Sequence, residues 1–317
     1  MLGHMTDRNW TPAAIPDLAG RTFVVTGANS GLGLATTRHL AAHGAHVVLA
    51  VRDLAKGNRA AAEISDAQPG ASLDVRRLDL ADLDSVRAFA AGVHASGLPV
   101  DVLVNNAGVM APPRALSPQG HEVQFAGNHL GHFALTGLLL DLLRAGRDPR
   151  VVTVSSALHR GARIHFDDLT GARSYAPMRY YGQSKFANVL FALELDRRLR
   201  AAGSPVRSLL AHPGYTATNL QTTGPRGLNQ MLARVGNRLI AQGVDMGASP
   251  QLYAATAADV ESGQFFGPGG WRELRGYPTV VQPDPAAADP ETARRLWQLS
   301  EKLTGVRYDV HATDTPR

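Results

Sequence analysis

The strongest constraint on the fold is an alternation of short β-branched apolar runs with longer segments of helical periodicity. Strands that alternate with helices form right-handed βαβ units, and such units build a parallel sheet that is covered on both faces. We therefore expect an α/β protein with one doubly wound parallel sheet of about seven strands and helices on both faces. Six of the expected strands lie near residues 22–25, 46–51, 73–78, 100–104, 150–154 and 206–210.

No linker or internal repeat divides the chain, so we expect a single domain over residues 16–305. Residues 1–15 are interpreted as a tag remnant, marked by Gly3-His4-Met5, followed by an N-terminal extension. Residues 306–317 are expected to be a disordered tail. The alternation weakens after Pro213, and residues 221–247 are expected to be a mobile flap with one amphipathic helix.

Composition narrows the possible functions. No run approaches the roughly 18 apolar residues that span a bilayer, so no membrane span is expected. The chain has no cysteine, which excludes disulfides and thiolate chemistry and fits a cytoplasmic protein. The net charge is +5, but the arginines are scattered among acidic residues and form no basic block. We therefore expect no nucleic-acid partner.

A glycine-rich turn lies between the first expected strand and the first expected helix. Residues 26–33 read Thr-Gly-Ala-Asn-Ser-Gly-Leu-Gly. Glycines permit a tight turn and let backbone N–H groups approach a pyrophosphate at the helix N-terminus. The G-x-x-x-G-x-G spacing differs from the usual G-x-G-x-x-G, and an ordinary turn can contain it. The strand before it and the helix after it favour a dinucleotide-binding turn.

Tyr181 and Lys185 form the second informative pattern. They are four residues apart in a segment with helical periodicity, so both side chains lie on one helix face. A nearby ammonium favours the phenolate, so we expect Lys185 to lower the pKa of Tyr181 below its usual value of about 10. The alternative is a chance pair on a solvated helix face. Lysine is rare in this chain, with Lys56 and Lys302 as the only others, which favours a functional pair.

Taken together, these motifs resemble the short-chain dehydrogenase/reductase family over about residues 20–270. The resemblance rests on Thr26 to Gly33, Asn105-Asn106-Ala107-Gly108, Ser155-Ser156, Tyr181-x-x-x-Lys185 and His212-Pro213-Gly214. Residues 105–110, 127–133 and 184–188 are most similar to the retinol dehydrogenase and WW-domain oxidoreductase branch. The resemblance implies a Rossmann-type fold and hydride transfer between a nicotinamide cofactor and a carbonyl or alcohol.

The resemblance also implies four catalytic residues. Tyr181 is expected to be the general acid/base, and Lys185 to support it and to hold the cofactor ribose. Ser156, rather than Ser155, is expected to hydrogen-bond the substrate oxygen, although Ser156 could instead cap a strand end. Asn128 lies in a long helix expected over residues 118–144, and is expected to hold a water linked to Lys185 or else to occupy a helix kink.

The remaining expected contacts are with the cofactor. Arg52 lies just after the second strand, where a guanidinium suits the 2′-phosphate of NADP. Asp53 could pair with Arg52 and weaken this indication, and Ser30 stands where the family has a second basic residue. NADP is therefore favoured over NAD. The expected cofactor-binding residues are Gly27, Asn29, Ser30, Gly31, Leu32, Gly33, Arg52, Asp79, Leu80, Asn105, Ala107, Gly108, Tyr181, Lys185, Pro213, Gly214, Thr216 and Thr218.

Several alternatives remain open from the sequence. The leading interpretation is a carbonyl reductase or alcohol dehydrogenase with a small lipophilic substrate, against a reductase of C=C bonds or a non-catalytic NADP sensor or scaffold. His129 and His132 have metal-like spacing, but no metal is expected. The long stretch at residues 158–177 either prevents tetramer packing, giving a monomer or dimer, or shapes the substrate entrance.

Overall fold

The computed structural model describes residues 9–215 and 243–310, in which eight strands form one sheet in the order β3-β2-β1-β4-β5-β6-β7-β8. All neighbours are parallel except β7 and β8, which are antiparallel. The predicted α/β doubly wound fold is confirmed, with one strand more than expected. The strands are β1 (Thr22–Thr26), β2 (His46–Val51), β3 (Ser72–Arg77), β4 (Val102–Asn105), β5 (Arg150–Val154), β6 (Arg207–Ala211), β7 (Phe265–Pro268) and β8 (Pro278–Val280).

Helices cover both faces of this sheet. The helices are α1 (Gly31–Ala42), α2 (Leu54–Ala67), α3 (Leu83–Ala95), α4 (Val123–Phe125), α5 (Gly131–Leu138), α6 (Leu140–Ala145), α7 (Pro177–Ala201), α8 (Val244–Thr256) and α9 (Pro290–Thr304). Helices α1, α2 and α8 pack on one face, and α3, α5 and α7 on the other. The central strands β1 and β4 are buried along their whole length, which explains why they read as continuous apolar runs.

Side-chain caps fix where several helices begin. Asp82 caps α3, because its carboxylate accepts a hydrogen bond from the Asp84 N–H at 3.1 Å. Asp53 caps α2 by accepting from the Lys56 N–H at 3.1 Å. Helix α7 starts at Pro177, whose missing N–H costs nothing in the first turn.

The long helix predicted over residues 118–144 is wrong in its bounds and its regularity. An isolated antiparallel bridge joins Leu116 to Glu122, so the helical segment begins only at Val123. A π-helical turn (Ala126–Leu130) then separates α4 from α5. Leu139 leaves helical geometry, with φ −107 and ψ 6, and ends α5. The apolar periodicity of the segment conceals these interruptions.

The packed core extends beyond the expected domain bounds at both ends. Trp10 is 5% exposed and packs edge-to-face on Tyr253, with ring centres 5.2 Å apart. At the other end, Val306 is buried and Tyr308 packs on Trp297, 4.6 Å between ring centres. The folded unit therefore includes residues that were assigned to an extension and a tail. Of the expected flap at 221–247, only residues 243–247 are described; its other residues lie outside the described part of the chain.

Candidate active site

Polar groups from neighbouring strand ends meet at the carboxyl edge of the sheet, where the strand order reverses between β1 and β4. The Thr26 hydroxyl accepts hydrogen bonds from the backbone N–H groups of Asn106 and Ala107, both at 2.9 Å. Asn106 Nδ2 donates to the Thr26 carbonyl oxygen at 2.8 Å. Open α/β sheets bind ligands at this kind of switch point, so these bonds place the glycine-rich turn at the expected cofactor crevice.

The glycine-rich turn is tightly closed. Gly27 and Gly31 have φ of +67 and +52, in the left-handed region that favours glycine. A Cβ on Gly33 would lie 2.3 Å from the Gly27 carbonyl oxygen and 2.6 Å from Asn106 Nδ2. No larger side chain fits at position 33 without moving the turn.

The N-terminus of α1 follows this turn and has no side-chain cap. Ser30 occupies the capping position, but its hydroxyl makes no capping hydrogen bond. The first N–H groups of a helix lack intrahelical partners, and the helix dipole makes this end electropositive. Such an end binds pyrophosphate, so the glycine turn and α1 fit a dinucleotide cofactor.

Tyr181 and Lys185 lie one turn apart in α7 and are only 6% and 4% exposed. Lys185 Nζ donates to the Val154 carbonyl oxygen, at the end of β5, at 3.1 Å. A Cβ on Gly108 would lie 3.4 Å from the same Nζ, so no side chain separates Lys185 from the chain after β4. The structure thus brings Tyr181, Lys185 and Gly108 together at the carboxyl edge.

Burial controls the protonation of this pair. Desolvation raises the pKa of Tyr181 to about 12, and a hydrogen bond with Ser156 lowers it only in part. Desolvation also lowers the pKa of Lys185 to about 8. The prediction that the pKa of Tyr181 is lowered is wrong in this structure, because burial removes water from around the phenol and raises this pKa. Tyr181 is therefore protonated at neutral pH.

The two adjacent serines have different surroundings. The Ser155 hydroxyl is buried and donates to the Lys185 carbonyl oxygen at 2.8 Å, which fastens α7 to β5. The Ser156 hydroxyl hydrogen-bonds Tyr181 and also accepts from the Leu158 N–H at 3.3 Å. The alternative capping role of Ser156 therefore occurs in the structure, and the same hydroxyl lies beside Tyr181.

Asn128 lies in the π-helical turn, and its buried side chain joins two elements of the site. Its Oδ1 accepts from the Val109 N–H at 2.8 Å. Its Nδ2 donates to the Val109 carbonyl oxygen at 3.0 Å and to Ser184 Oγ at 2.9 Å. Both amide donors are satisfied, which matches the alternative of a kink position.

His132 was considered only as a metal ligand, and its structural role was missed. Its Nδ1 lies 3.0 Å from the Asn128 carbonyl oxygen, and its Nε2 lies 2.9 Å from Thr26 Oγ1. Burial lowers the pKa of His132 to about 4, so the ring is neutral and Nδ1 donates to the carbonyl. His132 links the glycine-rich turn to Asn128. The i, i+4 spacing of Asn128 and His132 was the signal that could have identified this link.

The carboxyl end of β2 presents Arg52. This residue is exposed, and no ion pair joins it to another residue of the described ranges 9–215 and 243–310. The possibility that Asp53 neutralises Arg52 is wrong, because Asp53 caps α2 and pairs with Lys56 Nζ at 3.7 Å. The guanidinium remains available to a ligand.

Other expected cofactor residues follow β3, β4 and β6. Asp79 Oδ1 accepts from the Ala81 N–H at 3.0 Å, next to Leu80. The Asn105 amide points into the core and donates to Thr136 Oγ1 at 2.9 Å, so its side chain is not available to a cofactor. Pro213 and Gly214 follow β6, and Thr216 and Thr218 lie outside the described residues.

Two general properties concern metals and membranes. Residues 9–215 and 243–310 contain no group of three or more side chains that could hold a metal ion. His129 Nε2 instead lies 2.8 Å from Ser300 Oγ. In the same part of the chain, no helix has the length and apolar character needed to cross a membrane.

The family model for short chain dehydrogenase matches residues 21–228. The chain belongs to the short-chain dehydrogenases. This dehydrogenase is 42% identical to Retinol dehydrogenase 13 of Homo sapiens over 301 residues, which covers 93% of this chain and 86% of that protein. It is also 42% identical to Polyprenol dehydrogenase of Mus musculus over 301 residues, covering 94% of this chain and 88% of that protein.

Two solved structures extend the comparison. A protein of unassigned function from Mycobacterium paratuberculosis has a TM-score of 0.79 and 46% identity, covering 95% of this chain and 99% of that one. A putative NAD(P) dependent gluconate 5-dehydrogenase from Beutenbergia cavernae, with bound NADP, has a TM-score of 0.61 and 30% identity, covering 78% and 95%. This short-chain dehydrogenase is an oxidoreductase that acts on an alcohol or carbonyl group with a nicotinamide cofactor.

Proposed function

We propose that this dehydrogenase interconverts a lipophilic aldehyde or ketone and its alcohol with NADP(H), using Tyr181 as the general acid/base. The observation that carries the proposal is the state of Tyr181: it is buried, protonated at neutral pH and hydrogen-bonded to Ser156. A protonated phenol beside a second hydroxyl donor suits an oxygen that gains negative charge.

Ser156, Tyr181 and Lys185 have separate roles in carbonyl reduction. The bound nicotinamide supplies the hydride. Ser156 donates a hydrogen bond to the carbonyl oxygen, and Tyr181 donates the proton that this oxygen needs as its charge develops. Lys185 stays cationic up to about pH 8 and favours the phenolate that Tyr181 becomes. In alcohol oxidation the same groups act in the reverse direction.

The NADP preference rests on Arg52. A free guanidinium just past β2 suits a 2′-phosphate, since arginine forms strong charge-assisted hydrogen bonds with phosphate oxygens. The bound NADP of the Beutenbergia cavernae protein supports the same cofactor. The glycine-rich turn and the N-terminus of α1 would hold the pyrophosphate, and Lys185 the nearby ribose.

The substrate class rests on apolar side chains near the site. Leu158 follows Ser156 by two residues and is 45% exposed, and Tyr215 after β6 is 36% exposed. Met110 follows the chain after β4 and is half-buried. The relatives named for retinol and polyprenol act on lipophilic alcohols, which supports a similar class here.

The covering of α7 supports a monomer or a dimer formed through another face. Helix α9 packs along α7, and Trp297 of α9 stacks on Phe191 of α7, with ring centres 5.9 Å apart. Residues 158–177 cover the start of α7, where a Cβ on Gly182 would lie 2.9 Å from the Leu158 carbonyl oxygen. This helix is therefore not free to pack against another copy.

A screen of ketones and aldehydes with NADPH, followed by the absorbance of the reduced nicotinamide, tests the function. We expect turnover that favours long-chain or isoprenoid aldehydes. Consumption of conjugated enones to saturated ketones, without reduction of simple carbonyls, would instead identify a C=C reductase.

A further inference from the structure

The loop between β7 and β8, residues 269–277, is longer than the connection requires. The two strands are antiparallel neighbours, which a two-residue turn can join. Instead the loop folds back on itself, with Gly269 N–H donating to the Tyr277 carbonyl oxygen at 2.8 Å and Gly270 N–H to that of Arg275 at 3.0 Å. Since β7 is parallel to β6, this loop starts at the same carboxyl edge as the candidate active site.

The tip of this loop is strained. Arg272 and Glu273 are consecutive non-glycine residues in the left-handed region, with φ of 52 and 57. Such residues persist only where the surroundings hold them, and they cluster at functional sites. The contacts that hold Arg272 and Glu273 in this conformation therefore indicate the role of the loop.

The Glu273 carboxylate holds the loop against both neighbouring strand ends. Arg160, four residues after Ser156, donates from Nη2 to Glu273 Oε1 at 2.9 Å and to Oε2 at 3.0 Å. His212, directly after β6, lies 3.0 Å from Oε2 through its Nε2. His212 Nδ1 accepts from the Gly214 N–H, so its Nε2 carries the proton and donates to Glu273.

The loop backbone adds direct contact with the residues after β6. The Leu274 carbonyl oxygen accepts from the Tyr215 N–H at 2.9 Å. A Cβ on Gly214 would lie 2.6 Å from the Leu274 carbonyl oxygen and 2.9 Å from that of Glu273. The loop thus lies directly on the segment that follows β6, on the side of the crevice next to Ser156.

From this placement we propose that Glu273 is a positioning residue that locks residues 269–277 as one wall of the substrate cleft, and so determines which substrates fit. The inference rests on the proposed function, because it concerns the substrate of that same site. The wall carries Trp271, whose side chain is 72% exposed, and it suits bulky apolar substrates rather than small ones. A wall that only shapes the cleft affects substrate binding and leaves the proton transfer at Tyr181 unchanged.

The Glu273 carboxylate, held between Arg160 and His212, keeps one protonation state across assay conditions. The hydrogen bond from His212, reinforced by Arg160, lowers the pKa of Glu273 to about 2. The carboxylate is therefore ionised at neutral pH, and a neutral replacement removes its charge under the assay conditions. Glu273→Gln also turns one acceptor into an N–H donor that faces Arg160 or His212.

The test compares KM and kcat for propanal and decanal with NADPH. Glu273→Gln should raise KM for decanal by about 10-fold, the lower end of the effect of a lost charge-assisted hydrogen bond. KM for propanal and both kcat values should stay within about twofold, since the groups that exchange the proton are untouched. Arg160→Gln should give the same pattern, and the double variant should be no worse than either single one.

A matched control and a readout without turnover complete the test. Glu291→Gln makes the same chemical change in an exposed pair with Arg294, at 3.3 Å on α9, and should alter neither KM. Amide exchange in residues 269–277 should be about 10-fold faster in Glu273→Gln than in the wild type. Calorimetric binding of decanol and propanol gives the same selectivity ratio if turnover is too slow to measure.

The possible failures are distinguishable. A wild-type protein that reduces neither aldehyde contradicts the proposed function, whatever the effect of Glu273→Gln on residues 269–277. Equal KM changes for the two aldehydes, a fall in kcat at an unchanged KM ratio, or unchanged amide exchange in residues 269–277 overturns the proposed role of Glu273. Unchanged decanol binding in Glu273→Gln overturns it as well.

Discussion

Lys185 Nζ lies 5.8 Å from the centre of the Tyr181 ring, and both side chains are almost fully buried. Burial favours the neutral form of each group, so it raises the pKa of the phenol and lowers that of the ammonium. The two pKa values, 10.0 and 10.5 in water, are thereby driven apart to about 12 and about 8. At neutral pH the phenol is therefore a neutral proton donor beside a cationic lysine, which suits proton donation to a substrate oxygen.

Replacing Lys185 with Met should stabilise the protein at pH 7 while removing most activity. The pKa of Lys185 falls to about 8 in the folded state, so below that pH the fold carries a desolvated charge. The Val154 carbonyl oxygen keeps a donor, Asn188 Nδ2 at 3.2 Å. We expect a gain of about 3–4 kcal/mol at pH 7, from a shift of about two to three pKa units.

The sign of this effect with pH follows from proton binding. Between about pH 8 and the ordinary lysine value of 10.5, the unfolded chain binds the proton that the folded chain has lost, so wild-type stability rises with pH. The advantage of Lys185→Met should therefore shrink across this window. Denaturant unfolding of both proteins at several pH values checks it, and an advantage that grows with pH would contradict the account.

Ser155→Ala should lower mainly the stability of the protein, whereas Ser156→Ala should lower mainly kcat. Removing the buried Ser155 hydroxyl loses its bond to the Lys185 carbonyl oxygen and should lower stability by about 1 kcal/mol. Removing Ser156 should leave stability nearly unchanged and lower kcat about 10²-fold, the effect of one oxyanion donor. Thermal melts and steady-state kinetics on both variants decide this. A larger loss of kcat in Ser155→Ala would mean that the wrong serine is assigned to the substrate.

Arg52→Ala should weaken NADPH binding without affecting NADH. A charge-assisted hydrogen bond contributes roughly 1.5–3 kcal/mol, which corresponds to about 10- to 150-fold in affinity. Arg52 is exposed, so solvent screening favours the lower part of this range. Titrations of both cofactors into wild type and variant measure it. A wild-type preference for NADH would reject the NADP assignment.

Gly33→Ala tests the glycine-rich turn. The added Cβ would meet the Gly27 carbonyl oxygen at 2.3 Å, so the turn must open and cofactor affinity should fall by at least about tenfold, because misplaced N–H groups no longer meet the pyrophosphate. Gly92→Ala is the control: it lies inside α3 with open space around it, and should stabilise by about 0.5–1 kcal/mol. Equal cofactor affinity in the two variants would contradict a tight turn at Gly33.

Much of the fold was predictable because its signals are local. Continuous apolar strands, the glycine-rich turn and the Asp82 cap are each read from a few adjacent residues. The π-helical turn around Asn128 was not predictable, since its apolar periodicity resembles that of an ordinary helix. The three-residue strand β8 was missed for a related reason, because it is too short for an alternating pattern.

The candidate site was predictable in its motifs but not in its electrostatics. The spacing of Tyr181 and Lys185 places both on one face of α7, but only the packed structure shows that burial raises the pKa of Tyr181 and lowers that of Lys185. The contacts of Glu273 with Arg160 and His212 join residues that are distant in sequence, so no local pattern marks them. Long-range polar contacts of this kind depend on how the loops meet.

The most direct test of the central claim is turnover in Tyr181→Phe beside Tyr180→Phe. The two tyrosines are adjacent and buried, but the Tyr180 hydroxyl donates to the Asp168 carbonyl oxygen at 2.6 Å, away from Ser156. With an aldehyde and NADPH, Tyr181→Phe should lose about 10²- to 10⁴-fold in kcat, the usual contribution of general acid–base catalysis, and should bind NADPH normally. Tyr180→Phe should keep near wild-type kcat. Normal turnover in Tyr181→Phe, with loss of activity in Tyr180→Phe, would contradict the proposed mechanism.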